Sequence, residues 1–232
     1  MKSSERLVVW GDSLCKGIVF DEVRGRYAVL EHSAVNIISQ CFCYQTLNRA
    51  KMGLTVTKGR RILQEDLKNG VEADVAFIEF GGNDSDFDWR AISKEPDMEH
   101  VPRTSLPEFE KNLVSMVQEV KQAGVEPILS TLPPVDSEHY FDFILRGGLN
   151  RQNILKWLGD KNHIYRFHEQ YSLVISKVAR ECRCRLIDLR AVFLAQKNPY
   201  AYYCADGIHP NSAGHQLMAD AVIEALKNGA IV

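Results

Sequence analysis

Ser13 stands three residues after the apolar run Leu7 to Trp10, in the block Gly11-Asp12-Ser13-Leu14. A serine at a sharp strand-to-helix turn presents its hydroxyl at the top of a sheet. The plainer use of such a serine is to cap the helix, and the turn taken alone favours the cap. The G-x-S-x-G elbow of the α/β-hydrolases is absent, because position 15 is Cys. A serine nucleophile needs a general base, and the base needs an acid to set its tautomer and orientation. Asp206-Gly207-Ile208-His209-Pro210-Asn211 offers both within one loop. Taken alone, that stretch reads as a turn and helix start built from ordinary turn residues. Gly81-Gly82-Asn83-Asp84 closes the strongest apolar run. Its glycines allow close backbone approach, and the Asn83 amide is a donor of the kind a developing oxyanion needs. Its simpler reading is a Gly-Asn turn. Gly53, in Met52-Gly53-Leu54-Thr55, could lend a backbone N–H to the same place.

Other residues invite chemistry and have plainer readings. Cys15 lies two residues from Ser13, has no base nearby in sequence, and reads as a small packing residue. His168 lacks the second histidine of a zinc-protease helix, so it reads as a surface or partly buried helix histidine. His215 reads as a residue of the terminal helix. Tyr140, Phe141, Phe143 and Trp157 could wall a pocket or simply pack their segment against a sheet. Asn83-Asp84-Ser85 fits the N-glycosylation pattern, an accidental match where no secretion signal precedes it. Cys41/Cys43 and Cys182/Cys184 are spaced C-x-C, unlike zinc or redox pairs. The six cysteines therefore read as free, mostly buried thiols.

These residues must be held by elements. Leu7 to Trp10, Phe42 to Leu47, Val75 to Phe80, Pro127 to Leu132 and Arg185 to Leu189 read as strands. Gly59–Asn69, Pro107–Ala123, Tyr165–Cys182 and Ser212–Asn228 carry apolar residues at helical spacing, the last stopping at Gly229. Strands alternating with helices of this length argue for a parallel sheet of about five strands covered on both faces, an α/β fold. Polar Ser85–Ser105 reads as a surface loop. Val135–Asn162 reads as an insertion with one short helix, Asn153 to Leu158. No linker or repeat divides the 232 residues, which read as one domain with insertions around 85–105 and 135–162.

Composition narrows the function. Hydrophobic residues make up 45% and charged residues 25%, and 28 basic residues face 30 acidic ones. Without a polybasic stretch there is no phosphate footprint for nucleic acid. No apolar run approaches the length of a membrane helix. The first apolar run is too short for a signal-peptide core, so the chain reads as cytoplasmic.

Together and in this order, the four blocks resemble the SGNH hydrolases, also called the GDSL esterase/lipase family. Gly11-Asp12-Ser13-Leu14, Gly81-Gly82-Asn83-Asp84 and Asp206-Gly207-Ile208-His209 match closely, and the glycine block at Gly53 matches more loosely. The resemblance implies a flavodoxin-like three-layer α/β/α sandwich. It implies Ser13 as nucleophile, His209 as base and Asp206 as the residue that orients it. An oxyanion hole would come from the Ser13 and Gly53 N–H groups and the Asn83 amide. The substrate would be a small-molecule ester, and no metal or other cofactor is needed. Asp12 is expected to shape the turn. Deacetylation of a sugar, lysophospholipid or thioester hydrolysis, and acyl transfer all use this constellation. The lack of an evident membrane-binding helix or lid leans toward a small or carbohydrate-linked ester. A non-catalytic flavodoxin-like module would instead leave Asp206 and His209 far from Ser13. A metal-dependent phosphoesterase would need clustered His and Asp ligands, which the sequence lacks.

Overall fold

The computed structural model describes residues 5–228. β1 (Arg6–Gly11) is an interior strand, with Val8, Val9 and Trp10 all buried. It pairs in parallel with β4 (Gln45–Asn48) on one side and β5 (Val75–Glu79) on the other. β6 (Glu126–Ser130) and β7 (Arg185–Ile187) extend the same sheet, giving the order β4-β1-β5-β6-β7. A strand buried on both faces reads as a continuous apolar run, which is why Leu7 to Trp10 and Val75 to Phe80 are legible in the sequence.

Alternate residues of each strand feed the two faces. Val8, Trp10, Ala76 and Ile78 pack with α3 (Val56–Lys68), α5 (Leu106–Gln122) and α8 (Asn162–Cys182). Ile128 and Ile187 pack on the opposite face with α2 (Ala34–Phe42), α9 (Leu189–Leu194) and α10 (Ser212–Asn228). Leu7 and Val9 pack there too, against Val35 of α2 and Cys15 of the single-turn helix α1 (Ser13–Lys16). The result is the flavodoxin-like α/β/α sandwich, with its strand order reversing between β1 and β5. Ligands of such sheets bind at that switch point, outside the carboxyl ends of the strands.

Several expectations need correction. Phe42 closes α2, and Cys43 ends that helix at φ 54°, so the strand begins only at Gln45. A hairpin of β2 (Ile18–Asp21) and β3 (Arg26–Val29) follows α1 unannounced. Ser85–Ser105 contains α4 (Trp89–Lys94), and Val135–Asn162 contains two helices, α6 (Ser137–Leu145) and α7 (Arg151–Leu158). The added helices are stable because they share a core. Phe87, Trp89, Ile92, Phe141, Ile154 and Leu158 form a separate apolar cluster, a helical roof beside the sheet's carboxyl edge. Of the cysteines, Cys15 and Cys184 are buried while Cys41 and Cys43 are exposed, and all six are free. The C-x-C pairs sit at helix ends. Gly229, expected to stop α10, lies outside the described residues. Among the described residues no helix is long and apolar enough to cross a membrane.

Candidate active site

β1 ends at Gly11 because the chain must turn sharply against α1. A Cβ at Gly11 would stand 2.8 Å from Cys15 Cβ and 3.2 Å from the Glu79 carbonyl oxygen. Asp12, not Ser13, is the helix cap: its Oδ1 accepts the Leu14 N–H at 3.0 Å. Ser13 is thereby free of the capping duty that its position suggests, and it opens α1 at the switch point.

The partner groups arrive from the far end of the chain. In the loop before α10, Asp206 Oδ1 accepts the N–H groups of Ile208 and His209 at 3.2 and 3.1 Å. This turn brings residues three apart to one side, and Asp206 Oδ2 lies 2.6 Å from His209 Nδ1. His209 Nε2 lies 2.9 Å from Ser13 Oγ. A carboxylate only accepts, so Nδ1 carries the proton and Nε2 accepts from the Ser13 hydroxyl. Burial pushes the Asp206 carboxyl up, but the imidazole and the two N–H groups outweigh it and leave its pKa below the usual range. Gly207 holds this loop close to α6. A Cβ there would meet the Asp136 carbonyl and the Tyr140 nitrogen at 2.7 Å, and its φ is 74°.

Asn83 and Gly53 border the same cavity as Ser13 and His209. Asn83 Nδ2 donates to Asp12 Oδ2 at 3.0 Å. Asp84 is fully buried and does not line the cavity, and its carboxylate accepts the Val56 N–H that starts α3, at 3.0 and 3.1 Å. Burial raises Asp84 to about 7.

Other features of the site were not legible. The β2–β3 hairpin sets the Tyr27 ring edge-on to the His209 imidazole, 5.1 Å between centroids. Ile18–Phe20 and Tyr27–Leu30 flanking a Gly-containing turn were the available hairpin signal. The roof supplies Trp89, Tyr140 and Phe143 as walls. Asp86 organises them, accepting from the Tyr140 hydroxyl and Trp89 Nε1, both at 2.8 Å. Of the insertion's aromatics, Tyr140 and Phe143 border the cavity, while Phe141 is core of the roof. Trp157 packs there against Phe87. His168 is buried and borders the cavity, where burial and nearby Arg190 lower it to about 3. His215 lies behind the site, its Nδ1 accepting the Ala34 N–H at 3.3 Å. Among the described residues no group of three or more His, Cys, Asp or Glu side chains could hold a metal.

A flavodoxin-like sheet with a serine, a histidine and an acid converging on its switch point is the architecture of the SGNH hydrolases. Residues 9–217 match the GDSL-like lipase/acylhydrolase family, and the chain belongs to it. It is a hydrolase acting on ester bonds. It is 28% identical over 221 residues to the isoamyl acetate-hydrolyzing esterase 1 homolog of Rattus norvegicus, covering 92% of this chain and 78% of that one. The fold matches the lipase/acylhydrolase from Enterococcus faecalis at TM-score 0.67 and 20% identity, over 97% of this chain and 96% of the other. Axe2, an acetylxylan esterase from Geobacillus stearothermophilus, matches at TM-score 0.62 and 25% identity, over 96% and 94%.

Proposed function

We propose that the chain is a serine esterase working through an acyl-enzyme, with Ser13 as nucleophile, His209 as base and Asp206 as its orienting acid. The observation that carries this reading is the run of contacts from Asp206 Oδ2 to His209 Nδ1, and from Nε2 to Ser13 Oγ, at 2.6 and 2.9 Å. Ser13 Oγ attacks the ester carbonyl while His209 Nε2 takes its proton. The oxyanion is met by the Ser13 and Gly53 N–H groups and the Asn83 amide. The leaving alcohol takes the proton back from Nε2. Water, activated by the same nitrogen, then releases the acid. Asp206 keeps the Nδ1 proton in place and steadies the imidazolium.

The substrate we infer is a short acyl ester on a larger alcohol, an O-acetyl group on a carbohydrate. The site cavity of about 820 Å³ far exceeds an acetyl group. Its walls mix aromatic faces, Trp89 and Tyr140, with polar Asp86 and Arg103, a combination suited to a sugar. The names of the relatives agree on the acyl part, acetate in one and acetylxylan in the other. The convergence of the chain's two ends on one site also favours reading residues 1–232 as one domain.

Ser13→Ala is expected to abolish hydrolysis of 4-nitrophenyl acetate and labelling by an organophosphonate probe. Full activity in that variant overturns the mechanism. Acetylated xylooligosaccharides should be cleaved with higher kcat/KM than nitrophenyl esters of long acyl chains. The opposite order points to lysophospholipid or thioester hydrolysis.

A further inference from the structure

Two acids lie side by side beneath the proposed oxyanion site. Asp12 and Glu79 are each 1% exposed, and both border the cavity. Asp12 is well served as an anion, with the Leu14 N–H on Oδ1 and the Asn83 amide on Oδ2. Glu79 is not. Among the described residues, neither of its carboxyl oxygens has a hydrogen-bond donor. The groups it meets are the Asp12 carboxyl and backbone N–H and the Cys15 thiol. Neighbouring buried carboxyls cannot both ionise, so one proton must reside on the pair. It belongs on Glu79, because the Leu14 N–H and the Asn83 amide both bond to Asp12, whereas the Asp12 N–H and the Cys15 thiol beside Glu79 make no well-formed hydrogen bond to it. Burial and the Asp12 charge accordingly push the Glu79 carboxyl well above its usual range.

We propose that Glu79 is a positioning residue: as a neutral acid it donates to Asp12, and the chain Glu79–Asp12–Asn83 fixes which way the Asn83 amide points. An asparagine amide can present either its oxygen or its nitrogen to a neighbour. A carboxylate at Asp12 repels Oδ1 and binds one Nδ2 hydrogen, which leaves the other for the cavity. Were the proton on Asp12, it could donate to Oδ1, and the flipped amide would lose the register an oxyanion needs. The role rests on the proposed reading of Asn83 as an oxyanion donor.

The test compares E79L, E79Q, N83A and the E79L/N83A double variant on 4-nitrophenyl acetate, with circular dichroism to check folding. Loss of one oxyanion donor costs about 10²–10³ in turnover, and misorienting it should cost a part of that. E79L is expected to lower kcat roughly tenfold or more, with KM within about twofold. E79Q keeps a donor and should recover most of the loss. In the N83A background E79L should add nothing, because both act through one amide. D12N, which keeps the cap on Leu14 but removes the anion, should fall as far as N83A and serves if E79L does not fold. A wild-type kcat in E79L or D12N overturns the role, as do losses in E79L and N83A that multiply. If those losses multiply while Ser13→Ala is inactive, the role of Glu79 fails and the esterase mechanism stands. Full activity in Ser13→Ala overturns the mechanism and with it this role.

Discussion

The contact between Asp206 Oδ2 and His209 Nδ1 decides which imidazole nitrogen carries a proton. Asp206→Asn replaces an acceptor by a group that can donate to Nδ1, moving the ring proton to Nε2 and taking the acceptor away from Ser13. kcat on 4-nitrophenyl acetate is expected to fall about 10³–10⁴-fold with little change in KM. His215 shows a second single-residue effect. Burial, with the nearby His209 imidazole, lowers it to about 4. The unfolded chain, titrating near 6.5, therefore binds the extra proton first. The contribution of His215 to stability is complete above that value and is lost as pH falls toward 4. His215→Gln has no such titration. The stability gap between wild type and His215→Gln, measured by urea unfolding, should shrink by roughly 1–2 kcal/mol between pH 7.5 and pH 5. A constant gap contradicts the assignment.

At the scale of elements, the β2–β3 hairpin and the roof shape a site whose proposed reacting groups lie at the carboxyl edge of the sheet. The hairpin reaches the loop of Cys204 to His209 twice. Tyr27 packs edge-on to His209, and the Phe20 N–H meets Cys204 Sγ at 3.4 Å. An aromatic pair of this kind is worth about 0.5–1.5 kcal/mol. If the contact restrains the imidazole in its working position, Tyr27→Ala should lower kcat roughly two- to tenfold. An unchanged kcat would mean that the Asp206 contact alone holds the ring. The same packing explains why these elements escape a reading of local pattern. Phe42 belongs to α2 because α2 packs on α10, and nothing within Phe42 to Leu47 reveals that helix on the other side. Trp89 and Asp86 sit in a polar stretch whose helix is stable only because Phe87, Trp89 and Ile92 meet Phe141 and Ile154 across the roof.

For the whole molecule, the sheet cores and the roof cluster are chemically separate, yet they share α8, whose Ile164 lies in the roof and whose Ile175 lies under the sheet. A chain that is one domain should therefore unfold as one unit. Its tryptophans report both regions, Trp10 in the sheet core and Trp89 in the roof. Phe141→Ala opens a cavity in the roof and is expected to cost about 3–5 kcal/mol. Tryptophan fluorescence and far-ultraviolet circular dichroism should shift together in urea. Separate transitions would show the roof to be a domain of its own.

Local pattern in the chain was enough to read the parallel sheet and the candidate site blocks. Strand runs such as Val75 to Phe80 and helix spacings such as Phe109, Leu113, Met116 and Val120 depend on neighbours one turn or one pleat away. The blocks around Ser13, Asn83 and Asp206-His209 are likewise local in character. Tertiary structure alone decided what those residues face. Asp12 took the capping role that Ser13 could have filled, since the turn leaves the Asp12 carboxylate beside the Leu14 N–H. His168, expected to be a surface or partly buried helix histidine, became a buried neutral wall of the cavity. Glu79 was brought against Asp12 because β5 lies beside β1, with Gly11 level with Glu79. Each of these outcomes depends on which distant segments exclude water from a given side chain, and that is set only once the sheet order and the roof are in place.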